Sequence, residues 1–315
     1  MESTFKNVMV TGGCGFIASN FLNIMKKRYP DTHFVNIDKL DYCSNVENVE
    51  PGVATFIKGN VGNAELIENV IKMYKFDAVF HFAAQSHVDN SFENALSFTM
   101  DNTHGTHVLI EACRQFLPSV EFIHFSTDEV YGESRTDVPF TEDEGVLRPT
   151  NPYSASKAAA EMIVRSYIES FGMNIKVIRC NNVYGPNQYP EKLIPKFKRL
   201  LKEGKKCTLH GRNCVNNKRA FMHVEDVVDA VEIVWKSGTP GEVYNIASDD
   251  ELTVMELTQL IIENILETTD YDKWITYVDD RPFNDKRYYI CSKKLKALGW
   301  SQRKTREDLI NFLKE

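Results

Sequence analysis

The sequence predicts an α/β fold: a doubly wound, Rossmann-like parallel sheet followed by a smaller, partly discontinuous C-terminal region. Three observations predict it. Short apolar runs alternate with amphipathic segments through the first half of the 315 residues, the pattern of strands buried between helices. A glycine turn, Gly12-Gly13-Cys14-Gly15, joins the first strand to the first helix. An acid, Asp38, follows Ala18 by 20 positions (38 − 18), at the end of the next strand.

The elements follow in order. Strands are expected at Asn7–Thr11, His33–Ile37, Thr55–Lys58, Ala78–Phe82, Phe122–Ser126, Lys176–Arg179 and Val243–Ile246. Helices are expected at Phe16–Arg28, Ala64–Tyr74, Asn94–Phe116, Tyr153–Phe171 and Val224–Trp235. From about Pro186 the alternation weakens and Pro, Lys and Asn become frequent. The expected division is therefore a dinucleotide-binding domain over 1–185 and a substrate domain over 186–315, with Val243–Ile246 returning to the main sheet.

Gly12 and Gly15 let the backbone turn tightly and approach a pyrophosphate, which sits on the helix N-terminus opened by Phe16 and Ile17. Asp38 accepts from both ribose hydroxyls and repels a 2′-phosphate, so the expected cofactor is NAD rather than NADP. Lys39, Leu40 and Asp41 continue that wall. Asn60 and Val61 after the third strand border the adenine. Phe82, Ala83, Ala84 and Ser86 after the fourth border the nicotinamide ribose; tight sheet–helix packing explains the alanines equally well. Cys14 is a small filler in the turn rather than a redox switch.

The chemistry concentrates in two short stretches. Thr127-Asp128-Glu129 puts two acids side by side at the end of an apolar strand. Downstream, Tyr153 and Lys157 share one face of a helix opened by Asn151-Pro152, since i and i+4 are neighbours there. A nearby cation favours phenolate, so Tyr153 is expected to have a lowered pKa and to serve as a base. Taken alone, the acids could be an ordinary strand-end turn and the Tyr–Lys pair a surface helix; their ordered combination with the glycine turn and Asp38 is what carries meaning.

TGGCGFIAS, HFAAQSHVDNS, STDEVYGE, NPYSASKAAAE, NNVYGPNQYPEKLIPKF and DDRPFNDKRY resemble the nucleotide-sugar 4,6-dehydratases of the extended short-chain dehydrogenase/reductases, over nearly the whole chain. The similarity is greatest to the dehydratase portion of UDP-rhamnose synthases, through DKLDYCSN, His210 and RPFND. Those synthases carry a second, reductase portion, and this chain is expected to perform the first step alone, its product passing to a separate epimerase/reductase. The resemblance implies that Tyr153, with Lys157 and Thr127, handles the glucose 4-hydroxyl. It implies that Glu129 removes the C5 proton and Asp128 protonates the departing 6-hydroxyl. It adds Asp101 and Val183 to the cofactor contacts. For the substrate it implies Ser86, Thr127 and Asn182, then Lys192, Leu193, Thr208, Leu209 and His210, and finally Arg219, Asn245, Arg281 and Asn284.

Some positions depart from the family pattern. Asn60 stands where Asp is usual, and Asp101 where Thr or Asn is usual. The Gly211–Arg219 loop is two residues longer than usual. Asn284 replaces a His found in many thymidine-nucleotide members and, with His210, favours UDP-glucose over dTDP-glucose. A UDP-sugar epimerase is the nearest enzymatic alternative, but it gives the paired acids no role. A non-catalytic NAD-binding scaffold would be expected to have lost Tyr153 or Lys157.

Composition excludes other classes. A net charge of −7 without a long basic run argues against nucleic acid. No apolar run reaches the ~18–20 residues of a membrane span, and no signal-peptide pattern opens the chain, so a cytoplasmic protein is expected. The seven Cys are scattered without C-x-x-C or zinc spacing, which implies reduced thiols and no metal. His81, His87, His124 and His223 are expected to be structural. The helices Asn94–Phe116 and Tyr153–Phe171 carry apolar residues beyond one stripe, among them Leu109, Ile110, Cys113, Met162, Ile163 and Tyr167, and family resemblance implies that they pair in a homodimer.

Overall fold

Twelve strands are formed in the computed structural model, which describes residues 6–143, 146–211, 214–279 and 283–315. The first six are β1 (Asn7–Thr11), β2 (His33–Asp38), β3 (Thr55–Lys58), β4 (Ala78–His81), β5 (Glu121–Thr127) and β6 (Ile175–Cys180). They are followed by β7 (Asn182–Tyr184), β8 (Cys207–His210), β9 (Lys218–His223), β10 (Val243–Ile246), β11 (Glu251–Thr253) and β12 (Ile275–Val278). One seven-stranded sheet has the order β10-β6-β5-β4-β1-β2-β3, with every pair parallel. Because β1 is flanked by β2 and β4, the winding reverses there, and a crevice opens outside the carboxyl ends of these strands. Register sharpens this: Thr11 pairs with both Ile37 and His81, so Gly12, Asp38 and Phe82 emerge at one edge.

Helices cover both faces: α1 (Phe16–Arg28), α2 (Ala64–Tyr74), α3 (Val88–Glu93), α4 (Ala95–Phe98), α5 (Gly105–Phe116), α6 (Pro152–Phe171), α7 (Leu193–Lys202), α8 (Val224–Ser237) and α9 (Val254–Leu266). Successive residues of β1 serve opposite cores, because side chains alternate across a strand. Val8 and Val10 join Phe21, Phe80, Val228 and Trp235, while Met9 joins Val35, Ile110, Phe122 and Val164. Beyond β6 the chain builds a three-stranded sheet, β11-β9-β7, and a two-stranded one, β12-β8. A third cluster around Phe197, Leu209, Leu257, Ile261 and Leu313 packs them together.

The ends of α6 are set by local sequence. Asn151 accepts from the Ser154 amide, the Ser154 hydroxyl answers in a capping box, Pro152 opens the helix and Gly172 closes it at φ +63°. One expected helix differs. The 94–116 stretch is α4, a π-helical turn over Thr99–His104, and α5. The π turn brings Asn102 against the loop after β4, where its side chain accepts from the Gln85 amide and donates to the Gln85 carbonyl and the Ser156 hydroxyl. Leu109, Ile110 and Cys113 are fully buried, in the cluster that holds Met9, Ile67 and Phe122. No helix among the described residues is long and apolar enough to cross a membrane.

Candidate active site

A cleft of about 460 Å³ lies at the carboxyl edge of the sheet, between it and the segments of the smaller sheets. Its floor is the glycine turn. Gly12 has φ +71°, and a Cβ there would sit 2.7 Å from the Ala83 Cα, so two loops approach as closely as backbone allows. The N-terminus of α1 carries no side-chain cap and no acid in its first turn, which leaves its amides for an anion. Asp38 is set in the wall, accepting from the amides of Cys14 at 3.0 Å and Leu40 at 2.8 Å. These residues fit a dinucleotide with free ribose hydroxyls.

Most expected cofactor contacts line this half: Gly12, Gly15, Phe16 and Ile17 on the floor, Asp38, Lys39, Asp41, Asn60 and Val61 on one side, Phe82, Ala83, Ala84, Ser86, Asp101 and Val183 on the other. Leu40 is placed differently from its neighbours. It is not in the cleft wall; its backbone, at φ +58°, turns so that its amide holds Asp38.

At the centre, β5 ends in Thr127 and passes into a single 3₁₀ turn over Asp128–Tyr131. Thr127 caps that turn by accepting from the Glu129 amide at 3.3 Å. The two acids leave in different surroundings. Asp128 is buried, accepting from Asn181 Nδ2 at 2.6 Å and the Thr127 hydroxyl at 3.1 Å. Burial, then the charge of Glu129, push its carboxyl up to about 7. Glu129 accepts from Asn151 Nδ2 at 3.0 Å and the Tyr288 hydroxyl at 3.3 Å, both on Oε2. Burial raises its pKa above the ordinary value, while the Asn151 bond and the charges of Arg219 and Lys192 oppose the rise. Asp128 is therefore poised to donate near neutrality, and Glu129 beside it has hydrogen-bond donors and cations that favour its ionised form.

Tyr153 and Lys157 line the same cleft, but the expected electrostatics are reversed. The Tyr153 phenol is pushed up, by burial and then by Glu129, with a hydrogen bond to Thr127 opposing. The Lys157 ammonium donates to the Phe125 carbonyl at 2.7 Å, and burial lowers it to about 8. Neighbouring carboxyls and loss of water outweigh a cation committed elsewhere.

The far half of the cleft takes Asn182, Lys192, Leu193, Thr208, Leu209, His210, Arg219 and Asn284. Arg219 has both terminal nitrogens committed to carbonyls, of Lys218, Lys286 and Asp285, and stacks 4.7 Å over the Tyr288 ring. Asn245 is corrected. It is fully buried outside the cleft, its side chain accepting from the Tyr131 hydroxyl at 2.9 Å. That bond belongs to a buried network in which Arg179 pairs with Glu161 at 2.6 Å, lies 4.5 Å from the Tyr131 ring, and so braces the turn bearing the acids. Arg281 lies outside the described residues.

Asn151, Asn181, Asp285 and Tyr288 line the cleft and were not singled out from sequence. Asn151 had a signal, as the N-cap of the Tyr–Lys helix; Asn181 merely precedes an expected contact. Of the histidines expected to be structural, His87 lines the cleft, whereas His81 bridges the hydroxyls of Thr11 and Thr106, and burial drags it down to about 3. His124 is fully buried beside it.

The family model for GDP-mannose 4,6 dehydratase matches residues 9–312. A trifunctional UDP-glucose 4,6-dehydratase/UDP-4-keto-6-deoxy-D-glucose 3,5-epimerase/UDP-4-keto-L-rhamnose-reductase of Arabidopsis thaliana is 46% identical over 310 residues, covering 97% of this chain and 46% of that protein. The chain thus spans about half the length of that relative. A dTDP-D-glucose 4,6-dehydratase of Bos taurus is 44% identical over 306 residues, 95% of this chain and 85% of that protein. Among solved structures, the dTDP-glucose 4,6-dehydratase of Bacillus anthracis str. Ames, in complex with NAD, matches with a TM-score of 0.88 at 38% identity, covering 98% of this chain and 94% of that one. A match that runs from the glycine turn at one end of the cleft to Tyr288 at the other establishes that the chain belongs to the GDP-mannose 4,6 dehydratase family.

Proposed function

We propose that the protein dehydrates a nucleoside-diphospho-glucose, UDP-glucose in preference, to the 4-keto-6-deoxy sugar with NAD held in the cleft. The observation that carries this reading is the placement of two adjacent carboxyls with different partners in one cleft beside Tyr153: Asp128 on Asn181 and Thr127, Glu129 on Asn151 and Tyr288. Bound NAD would accept a hydride from the sugar, return it later in the same turnover, and bring the positive charge of its oxidised ring. The protein's own groups do the rest. Tyr153, hydrogen-bonded by Thr127, takes the proton of the 4-hydroxyl as phenolate, a form that the positive charge of bound NAD would favour against burial and Glu129. Glu129 takes the C5 proton, made acidic by the adjacent ketone, exchanges it with solvent and delivers a proton back to C5. Asp128, protonated near neutrality, gives its proton to the departing 6-hydroxyl so that water leaves.

His210 and Asn284 in the cleft wall support uridine, because both side chains can bond a ribose 2′-hydroxyl. A site built for a hydroxyl is penalised when the hydroxyl is missing, whereas a missing methyl costs only ~1–3 kcal/mol. The comparable identity to a dTDP-D-glucose enzyme supports thymidine as the second reading. Parallel kcat/KM measurements on UDP-glucose and dTDP-glucose decide between them: we expect UDP-glucose to be favoured and Asn284→His to narrow the gap. A better rate with dTDP-glucose overturns the uridine assignment and leaves the chemistry standing. We also propose a homodimer whose product is consumed by a separate epimerase/reductase.

A further inference from the structure

A third carboxyl lies buried behind Glu129. Asp285 is 2% exposed, and its Oδ2 accepts from the Thr150 hydroxyl at 2.6 Å and from the Tyr288 hydroxyl. Its Oδ1 is buried with no partner among the described residues. Tyr288 also reaches Glu129 Oε2 at 3.3 Å, so one phenol bridges two carboxyls. The bridge is held rigidly. Arg219 stacks on the Tyr288 ring and donates to the Asp285 carbonyl at 2.8 Å, which fixes ring and backbone together.

A phenol has one hydrogen and a lone pair available, so it can face a carboxylate as donor or a carboxylic acid as acceptor. With Asp285 on its other side, Tyr288 has somewhere to turn its hydrogen in either state. From this geometry we infer that Tyr288, anchored by Asp285 and Thr150, is the positioning residue of the base Glu129. It holds Oε2 together with Asn151, presents Oε1 to the C5 hydrogen, and turns its hydroxyl towards Asp285 while Glu129 carries the proton. No bond beyond that proton transfer is made or broken, and a proton returns to C5 by the reverse path. The inference rests on the dehydratase reading of the site.

The charged and titratable groups that face Glu129 are Asp128 on its own turn, Tyr153 on α6, Lys192 before α7, Arg219 on β9, and Asp285 with Tyr288. Two substitutions separate positioning from packing because they push the base in opposite directions. Tyr288→Phe keeps the ring under Arg219 but removes a donor from the carboxylate, so the acidic limb of the kcat profile should move to higher pH. Asp285→Asn keeps the shape but removes a negative charge that raises Glu129, so the same limb should move to lower pH. Exchange of the C5 hydrogen with deuterated water should slow by about 10–100-fold in Tyr288→Phe, as expected when a catalytic group is misplaced, with KM and bound NAD little changed. Limbs that stay put, or move the same way in both variants, overturn the inference. If Tyr288→Phe fails to fold, the direction in Asp285→Asn decides alone. If the unsubstituted protein neither loses water from its substrate nor exchanges C5, the dehydratase reading itself fails, and this inference with it.

Discussion

Burial and the neighbouring charge hold the Asp128 carboxyl at about 7, whereas the hydrogen bond from Asn151 and two cations restrain the rise at Glu129. An acid must be protonated to donate, so the rate should fall as pH rises through about 7. A base must be ionised, so the rate should also fall as pH drops through the raised pKa of Glu129. A bell-shaped kcat profile checks this; a flat alkaline side contradicts the role of Asp128. Glu129→Gln should abolish C5 exchange, and Asp128→Asn should slow water loss while permitting exchange, each by about 10²–10⁴-fold. The same residue predicts stability. Asp128 has a folded pKa above its unfolded value of 3.8, so its favourable contribution is complete below that value and lost as pH rises through about 7. At pH 8 the ionised, buried carboxylate is a burden, and Asp128→Asn should be more stable by about 1–3 kcal/mol in denaturant titration. Equal stabilities at pH 8 would mean that the carboxyl is not raised.

The π-helical turn over Thr99–His104 places Asp101 at the cofactor half of the cleft, where Lys39 bridges Asp101 and Asp41 at 2.7 Å each. Gln85 donates to both acids, at 2.6 Å to Asp41 and 2.9 Å to Asp101. The clasp ties the loop after β2 to the loop after β4 and to the π turn. Asp101→Asn should loosen it, and NAD should leave about two- to five-fold faster in a trapping experiment, the scale of a partly exposed ion pair. An unchanged release rate contradicts the clasp. This element also marks where sequence reasoning stops. Phe16–Arg28, Ala64–Tyr74 and α6 were legible because their apolar period is local, and α6 adds a capping box and a terminal Gly172. The π turn was not, because it depends on Asn102 finding Gln85 and Ser156. β7, β8 and β12, of three or four residues each, lie where the strand–helix alternation weakens and carry too little periodicity to register alone.

Across the whole molecule, the acid pair, the Tyr–Lys helix and the glycine turn are short motifs, so most of the cleft was legible before any fold. What supports them was not: Tyr288 and Glu129 are separated by 159 positions. Nor does a sequence say that Lys157 will spend its charge on the Phe125 carbonyl. Leu96, Met100, Met162 and Phe171 are exposed by 80%, 56%, 55% and 54%, on α4, the π turn and α6. For the proposed homodimer, light scattering should give about twice the 36.1 kDa chain mass, and Met162→Glu should shift it towards monomer. A monomer at micromolar concentration contradicts the proposal. The central claim, that paired acids beside a phenol remove water from a nucleotide sugar, is tested most directly by one incubation. The protein is mixed with UDP-glucose, and in parallel dTDP-glucose, in deuterated water, and the product is weighed by mass spectrometry while NADH absorbance is followed. The account predicts a product lighter by one water with deuterium at C5, and no net NADH. A product of unchanged composition, or NADH accumulating in step with it, would contradict the account.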